Sequence, residues 1–131
     1  MDALPTLADV ASRVYATVGL GSELDCSLRF RRYCAGEYHP RHFDTYAVGD
    51  RLLVATAMLC LTAPEAGGET VFPAAAPALR MTPKAGRLLM WRNVLADGSD
   101  DPAALHESLP VLAGTKTTLT AFIYQSGWRT R

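Results

Sequence analysis

The chain has 131 residues, enough for one small hydrophobic core and too few for two ordinary domains that each carry their own. Hydrophobic residues make up 49% and charged residues 20%, close to the soluble globular average, which excludes wholesale disorder and a coiled coil. Thirteen Lys plus Arg balance thirteen Asp plus Glu, so net charge gives no reason to expect a nucleic-acid or anionic-membrane surface.

The N-terminus carries Asp2 and Asp9 without a basic leader or an apolar h-region, which predicts a cytoplasmic chain. Leu7, Val10, Ala11, Val14 and Val18 recur at helical spacing and predict a helix over about 6–18. Gly19 and Gly21 then end it. From there the pattern turns to β-type runs at Ser27–Tyr33, Arg51–Leu61, Gly86–Trp91, Ser108–Leu112 and Thr117–Gln125. Turn chemistry separates them at Gly67-Gly68, Pro83, Asp97-Gly98, Asp101-Pro102 and Gly114. Several short strands spaced this way predict a sandwich or barrel. The run Leu52–Leu61 is interrupted by Thr56 and is about half the roughly 20 residues a membrane helix needs. Gly67-Gly68-Glu69-Thr70 reads as a hairpin turn. Cys26, Cys34 and Cys60 are an odd count without CxxC spacing, so they read as buried reduced thiols.

Histidine is scarce, at His39, His42 and His106 only. In Tyr38-His39-Pro40-Arg41-His42-Phe43-Asp44, residues two apart on a strand share a face, so His42 and Asp44 can share one metal ion. A second imidazole would complete a two-histidine, one-carboxylate facial triad of the kind that holds Fe(II) with open positions, and His106 is the candidate for it. Lys116, one of only two lysines, opens the apolar strand Thr118–Tyr124. An ammonium there is costly unless an anion meets it.

Four stretches carry a resemblance. They are Arg32-Tyr33-x-x-Gly36-Glu37-Tyr38-x-x-x-His42-Phe43-Asp44-x-Tyr46; Gly67-Gly68-Glu69-Thr70-Val71-Phe72-Pro73; Pro83-Lys84-x-Gly86; and a final run from Asp97-Gly98 through Leu105-His106 and Pro110-Val111 to Gly114-x-Lys116. In this order and spacing the chain resembles the prolyl 4-hydroxylase branch of the 2-oxoglutarate- and Fe(II)-dependent dioxygenases. The resemblance implies a mainly β fold, a double-stranded β-helix of jelly-roll or cupin type, over about 26–126 behind the N-terminal helix, with residues 1–131 as a single domain. It implies Fe(II) on His42, Asp44 and His106, and 2-oxoglutarate held through its distal carboxylate by Lys116 and Tyr33. It further implies dioxygen as co-reactant, ascorbate as reductant, and hydroxylation of an unactivated C–H bond with release of succinate and CO2. The carboxylate of Asp44 argues against a halogenase, whose iron site replaces it with a small residue.

The sequence also departs from that pattern. It is short on the side preceding the helix, which predicts either a cut-down chain or a minimal domain with a homodimer mate or partner covering that side, and no nucleic-acid or membrane partner is expected. His39 stands where plant and algal relatives have a substrate-side tyrosine, with Tyr38 one residue earlier. Arg51 lies two residues before the position of their strand-opening arginine. Tyr38, His39 and Arg51 are thus candidate substrate contacts, and the substrate is a prolyl peptide or a small amino-acid-like molecule. His39 alternatively serves as a hydrogen-bonded side chain, and Trp91, Phe122 and Tyr124 read as core or pocket wall. Two rival readings remain. One is a non-catalytic metal-binding β-barrel serving as a regulatory or structural subunit. The other is a zinc hydrolase, which Lys116 and Tyr33 disfavour because it needs no dicarboxylate anchor.

Overall fold

The computed structural model describes residues 24–127 and, before them, Ser12, Arg13 and Ala16. The helix expected over about 6–18 lies outside the described residues apart from those three, whose backbone is helical. The described strands are β1 (Leu24–Tyr33), β2 (His39–His42), β3 (Ala47–Val48), β4 (Arg51–Thr62), β5 (Ala66–Gly67), β6 (Thr70–Phe72), β7 (Leu79–Met81), β8 (Leu88–Arg92), β9 (His106–Ser108), β10 (Val111–Ala113) and β11 (Lys116–Gln125). The larger sheet runs β1-β11-β4-β3, with β8 also paired to β4. A second sheet runs β2-β9-β6-β7, and β10 pairs with β5. The two larger sheets face each other across a cavity, which is the double-stranded β-helix expected from the resemblance. No helix among the described residues is long and apolar enough to cross a membrane.

The period-2 alternation of β11 divides the larger sheet by chemistry. Ala121 and Ile123 turn to one face and, with Ala57 of β4, form a core onto which Cys26, Leu28, Val54, Leu59 and Leu88 pack. Small residues at 57 and 121 bring the neighbouring strands' side chains close, and full burial of Ile123 contributes about 1.5–3 kcal/mol. Thr118, Thr120, Phe122 and Tyr124 turn to the other face and line the cavity. The pairing of β1 with β11 sets Tyr33 opposite Lys116, Arg31 opposite Thr118 and Arg29 opposite Thr120.

Three expectations change. The strand expected over Ser108–Leu112 is two strands in different sheets, β9 and β10. Pro110 lacks an N–H and cannot continue a ladder, while its carbonyl accepts from Gly68 N and Leu109 N donates to Glu69 O. Gly67-Gly68 is accordingly not a hairpin turn: Gly67 pairs with Val111 in the small ladder, and Thr70 already belongs to the other sheet. At Gly67, φ is +81° and an added Cβ would lie 2.4 Å from the Pro110 carbonyl oxygen, so only glycine fits there. Of the three cysteines only Cys60 is buried; Cys26 is half-buried and Cys34 exposed.

Candidate metal centre and its cavity

His42 closes β2 and His106 opens β9, and the two residues are directly paired across the ladder. Asp44 lies beyond the end of β2 in irregular backbone. Its approach to His42 therefore comes from the turn out of the strand, and not from two side chains sharing a strand face as the spacing suggested. The side chains of His42, Asp44 and His106 converge, with one ligand-type atom from each lying within 4.8 Å of the others.

Backbone carbonyls fix which ring nitrogen faces inward. The Pro40 carbonyl lies 2.6 Å from His42 Nδ1 and the Ala104 carbonyl 2.7 Å from His106 Nδ1. A carbonyl only accepts, so both Nδ1 atoms carry hydrogen and both Nε2 atoms are left to face the carboxylate. His42 Nε2 is 3.1 Å and His106 Nε2 3.5 Å from Asp44 Oδ1. Two imidazole lone pairs and a carboxylate oxygen then meet with only a proton or a cation available to share. This donor set, with its outer nitrogens already hydrogen-bonded, fits a divalent first-row metal.

Asp44 is held from the larger sheet. Thr56 Oγ1 of β4 donates to Asp44 Oδ2 at 2.9 Å, and buried Asn93 Nδ2 donates to Thr56 Oγ1 at 2.8 Å. Burial alone would raise the Asp44 carboxyl, but the His42 hydrogen bond, the His106 charge and the Thr56 hydrogen bond hold it below its ordinary range. The Asp44 hydrogen bond raises His42, whereas burial lowers His106. Beside the buried His106 ring, Trp91 stands 4.8 Å away between centroids and Phe72 5.5 Å away, an apolar wall on that side.

Lys116, 1% exposed, donates from Nζ to the Gly68 carbonyl at 2.8 Å and to Ser108 Oγ at 2.7 Å. The ammonium also lies 4.7 Å from the centre of the Tyr33 ring. No carboxylate among the described residues lies within ion-pair distance of it, and burial lowers its pKa to about 8. Gly68 has φ +75°, a conformation that favours glycine, and a Cβ there would press on Lys116 Cδ at 3.2 Å. The cradle is made of neutral dipoles, leaving the ammonium's charge for an anion. Lys116 lines a recess of about 20 Å³ that shares Met58, Thr70 and Thr118 with the main cavity of about 610 Å³.

His42, Asp44, His106, Tyr33 and His39 all line that main cavity. His39 Nδ1 accepts from Arg31 Nη1 at 2.6 Å, and its ring stacks on His42 with centroids 4.0 Å apart. Burial, with the charges of His42 and Arg31, lowers the His39 pKa to about 4, so the ring is neutral at neutral pH. Tyr38 is exposed and Arg51 lies over the Tyr124 ring at 5.6 Å; neither is among the residues lining the cavity. Trp91, Phe122 and Tyr124 are cavity wall, as expected.

Sequence reasoning passed over Thr56, Asn93, Gly68, Ser108 and Arg31. A hydroxyl in the middle of the apolar β4 run and an amide directly after the β8 run were the signals for the first two. Nothing local marks a backbone carbonyl as an ammonium partner.

The family model described as the 2OG-Fe(II) oxygenase superfamily matches residues 28–124. The chain belongs to that superfamily. Among the chain's curated relatives, prolyl 4-hydroxylase subunit alpha-1 of Homo sapiens is 27% identical over 134 residues, covering 94% of this chain and 24% of that protein. Prolyl 4-hydroxylase subunit alpha-2 of Gallus gallus is 30% identical over 130 residues, with the same two coverages. The chain thus spans about a quarter of the length of these relatives. A viral collagen prolyl hydroxylase from Paramecium bursaria Chlorella virus-1 shares its fold at TM-score 0.75 and 24% identity, covering 92% of this chain and 70% of that one. A Pseudomonas putida prolyl-4-hydroxylase follows at TM-score 0.60 and 25% identity, covering 94% and 63%.

Proposed function

We propose that residues 26–126 form one hydroxylase domain that uses Fe(II), 2-oxoglutarate and dioxygen, acting on a prolyl peptide or a small amino-acid-like substrate. The observation that carries this reading is the pairing of two features in adjoining cavities. One is a two-imidazole, one-carboxylate donor set within 4.8 Å; the other is a buried ammonium cradled by neutral groups. His42, Asp44 and His106 would hold the iron, and Lys116 with Tyr33 the distal carboxylate of 2-oxoglutarate. With 2-oxoglutarate and dioxygen, iron in such a site supplies oxidative decarboxylation to succinate and CO2 coupled to conversion of C–H to C–OH, with ascorbate keeping the metal reduced.

The chain's own residues supply position and exclusion of water. Pro40 and Ala104 carbonyls keep both histidines in the tautomer that presents Nε2. Thr56 and Asn93 fix the Asp44 plane, and Trp91 and Phe72 close the His106 side against water. Lys116 offers a carboxylate a charge-assisted hydrogen bond in a low-dielectric recess.

Succinate formation by the purified chain with Fe(II), ascorbate and 2-oxoglutarate, with and without proline peptides and free amino acids, tests the reading. Turnover dependent on iron, and stimulated by one substrate class, supports it. Iron and 2-oxoglutarate binding without any turnover would refute it in favour of a metal-binding module.

A further inference from the structure

β1 turns Arg29, Arg31 and Tyr33 to the cavity, successive ones two residues and therefore roughly 6–7 Å apart along the strand. Neither arginine has a carboxylate within ion-pair distance among the described residues. Arg31 is half-buried; its guanidinium donates to the neutral His39 ring and lies 4.7 Å from the Tyr33 ring centre. Arg29 lies 5.5 Å from the Phe122 ring centre. Asp44 is the only carboxylate among the described residues lining this cavity, and it belongs to the candidate metal centre.

Charge accounting then points outward. A divalent metal with Asp44, together with a dicarboxylate and Lys116, is formally neutral, so the filled centre would use up none of the charge on Arg29 and Arg31. A guanidinium carries five N–H donors in a flat fork that matches a carboxylate, and the described structure gives Arg31 one imidazole and one ring face. Glu37 acts on Arg31 only from beyond ion-pair distance, and a partly desolvated cation whose direct contacts are all neutral is stabilised by an arriving anion. Through His39, which stacks on His42, Arg31 stands one side chain away from the metal ligands.

Resting on the hydroxylase reading, we infer that Arg31, backed by Arg29, forms a carboxylate subsite for the molecule to be hydroxylated. The substrate class is one with a carboxylate on, or within one or two residues of, the reacting carbon. A free amino acid's α-carboxylate and an acidic side chain beside the target residue supply the same chemistry.

The test is binding and turnover of a matched series: Asp-Pro, Glu-Pro, Ala-Pro and Lys-Pro peptides with blocked ends, and free proline against its amide. Binding is read by fluorescence anisotropy of labelled peptides and by competition on the full chain, and turnover by succinate release. Acidic peptides, or free proline over its amide, are expected to bind about tenfold more tightly than neutral analogues, with the advantage shrinking as salt rises. Which arm shows the preference tells a side-chain carboxylate from an α-carboxylate. Arg31→Gln is expected to erase the preference, and Arg32→Gln, exposed on the opposite face of β1, to retain it. Equal binding of acidic, neutral and basic ligands overturns the inference, even where succinate release upholds the hydroxylase reading. An Arg31→Gln chain that keeps its acidic preference, or in which only the 2-oxoglutarate requirement rises, overturns it as well. If no succinate forms at all, a preference for acidic ligands that Arg31→Gln removes still upholds the subsite while the hydroxylase reading falls.

Discussion

Strands of ten to twelve residues, β1, β4 and β11, make the wall that carries Tyr33 and Lys116. The wall that carries His42 and His106 is built from β2, β6, β7 and β9, each of three or four residues. The long wall has a core of its own at Ala57, Ala121 and Ile123 and ladders of ten and nine residue pairs joining β11 to β1 and β4. The short wall is tied to it by polar links: Lys116 reaching Gly68 and Ser108, and Asp44 reaching Thr56. The candidate anion anchor is thus built into scaffold that folding secures, whereas two of the three candidate metal donors stand on structure that a bound ion would secure.

The largest effect is expected from removing a donor of the short wall's centre. Asp44→Ala deletes the group that joins both histidines to the long wall, and metal affinity is expected to fall by at least about 100-fold in a Mn(II) or Fe(II) titration. A variant that binds metal as tightly as the parent would show that Asp44 is a structural ion pair.

Next comes the anchor. On the proposed reading, Lys116→Ala would leave a 2-oxoglutarate carboxylate without its cation, an expected loss of about 2–5 kcal/mol that calorimetric titration reads as a rise in Kd of roughly 30-fold or more. Lys116→Met should at the same time raise the unfolding midpoint of the ligand-free chain, because a buried ammonium cradled only by dipoles opposes folding. The sign with pH follows. Folding lowers the Lys116 pKa from 10.5 to about 8, so between those values the unfolded chain holds the extra proton. The ligand-free chain therefore gains stability as pH rises through that window, and its penalty is complete below about pH 8. Affinity for 2-oxoglutarate runs the other way, weakening above about pH 8, and a flat profile would place the titration elsewhere.

Thr56→Val and Asn93→Ala act one and two hydrogen bonds from Asp44. Each should weaken metal binding by about tenfold, less than Asp44→Ala, because orientation is lost while the ligand stays. Equal effects from all three would mean that the whole turn after β2 collapses. The mildest probe is hydrogen exchange: added metal should slow the amides of β2 and β9 more than those of β4 and β11, which their own ladder and core already protect.

Much of this was legible in the residues. The alternation of β11, the place of Lys116 at its start and of His106 at the head of a strand were all present in period and motif. The His42 and Asp44 pairing was read correctly as a pair but for a geometry it does not have, since Asp44 lies past the strand end and is aimed by Thr56. Pro110 gave a visible warning that 108–112 could not be one ladder. The Asn93–Thr56–Asp44 relay and the Gly68 carbonyl were not legible, because both join residues 12 to 48 positions apart through contacts that only the closed fold creates.

The indole of Trp91, resting 4.8 Å from the His106 ring, gives the cavity an optical voice. The chain has two tryptophans, Trp91 and Trp128, so Trp128→Phe leaves a single emitter beside a donor of the candidate centre. An open-shell ion arriving at His106 would quench that emission through space, and a closed-shell ion such as Zn(II) would fill the same donors and leave the indole bright. Emission from one ring would then report occupancy of the centre in real time, without label and without turnover.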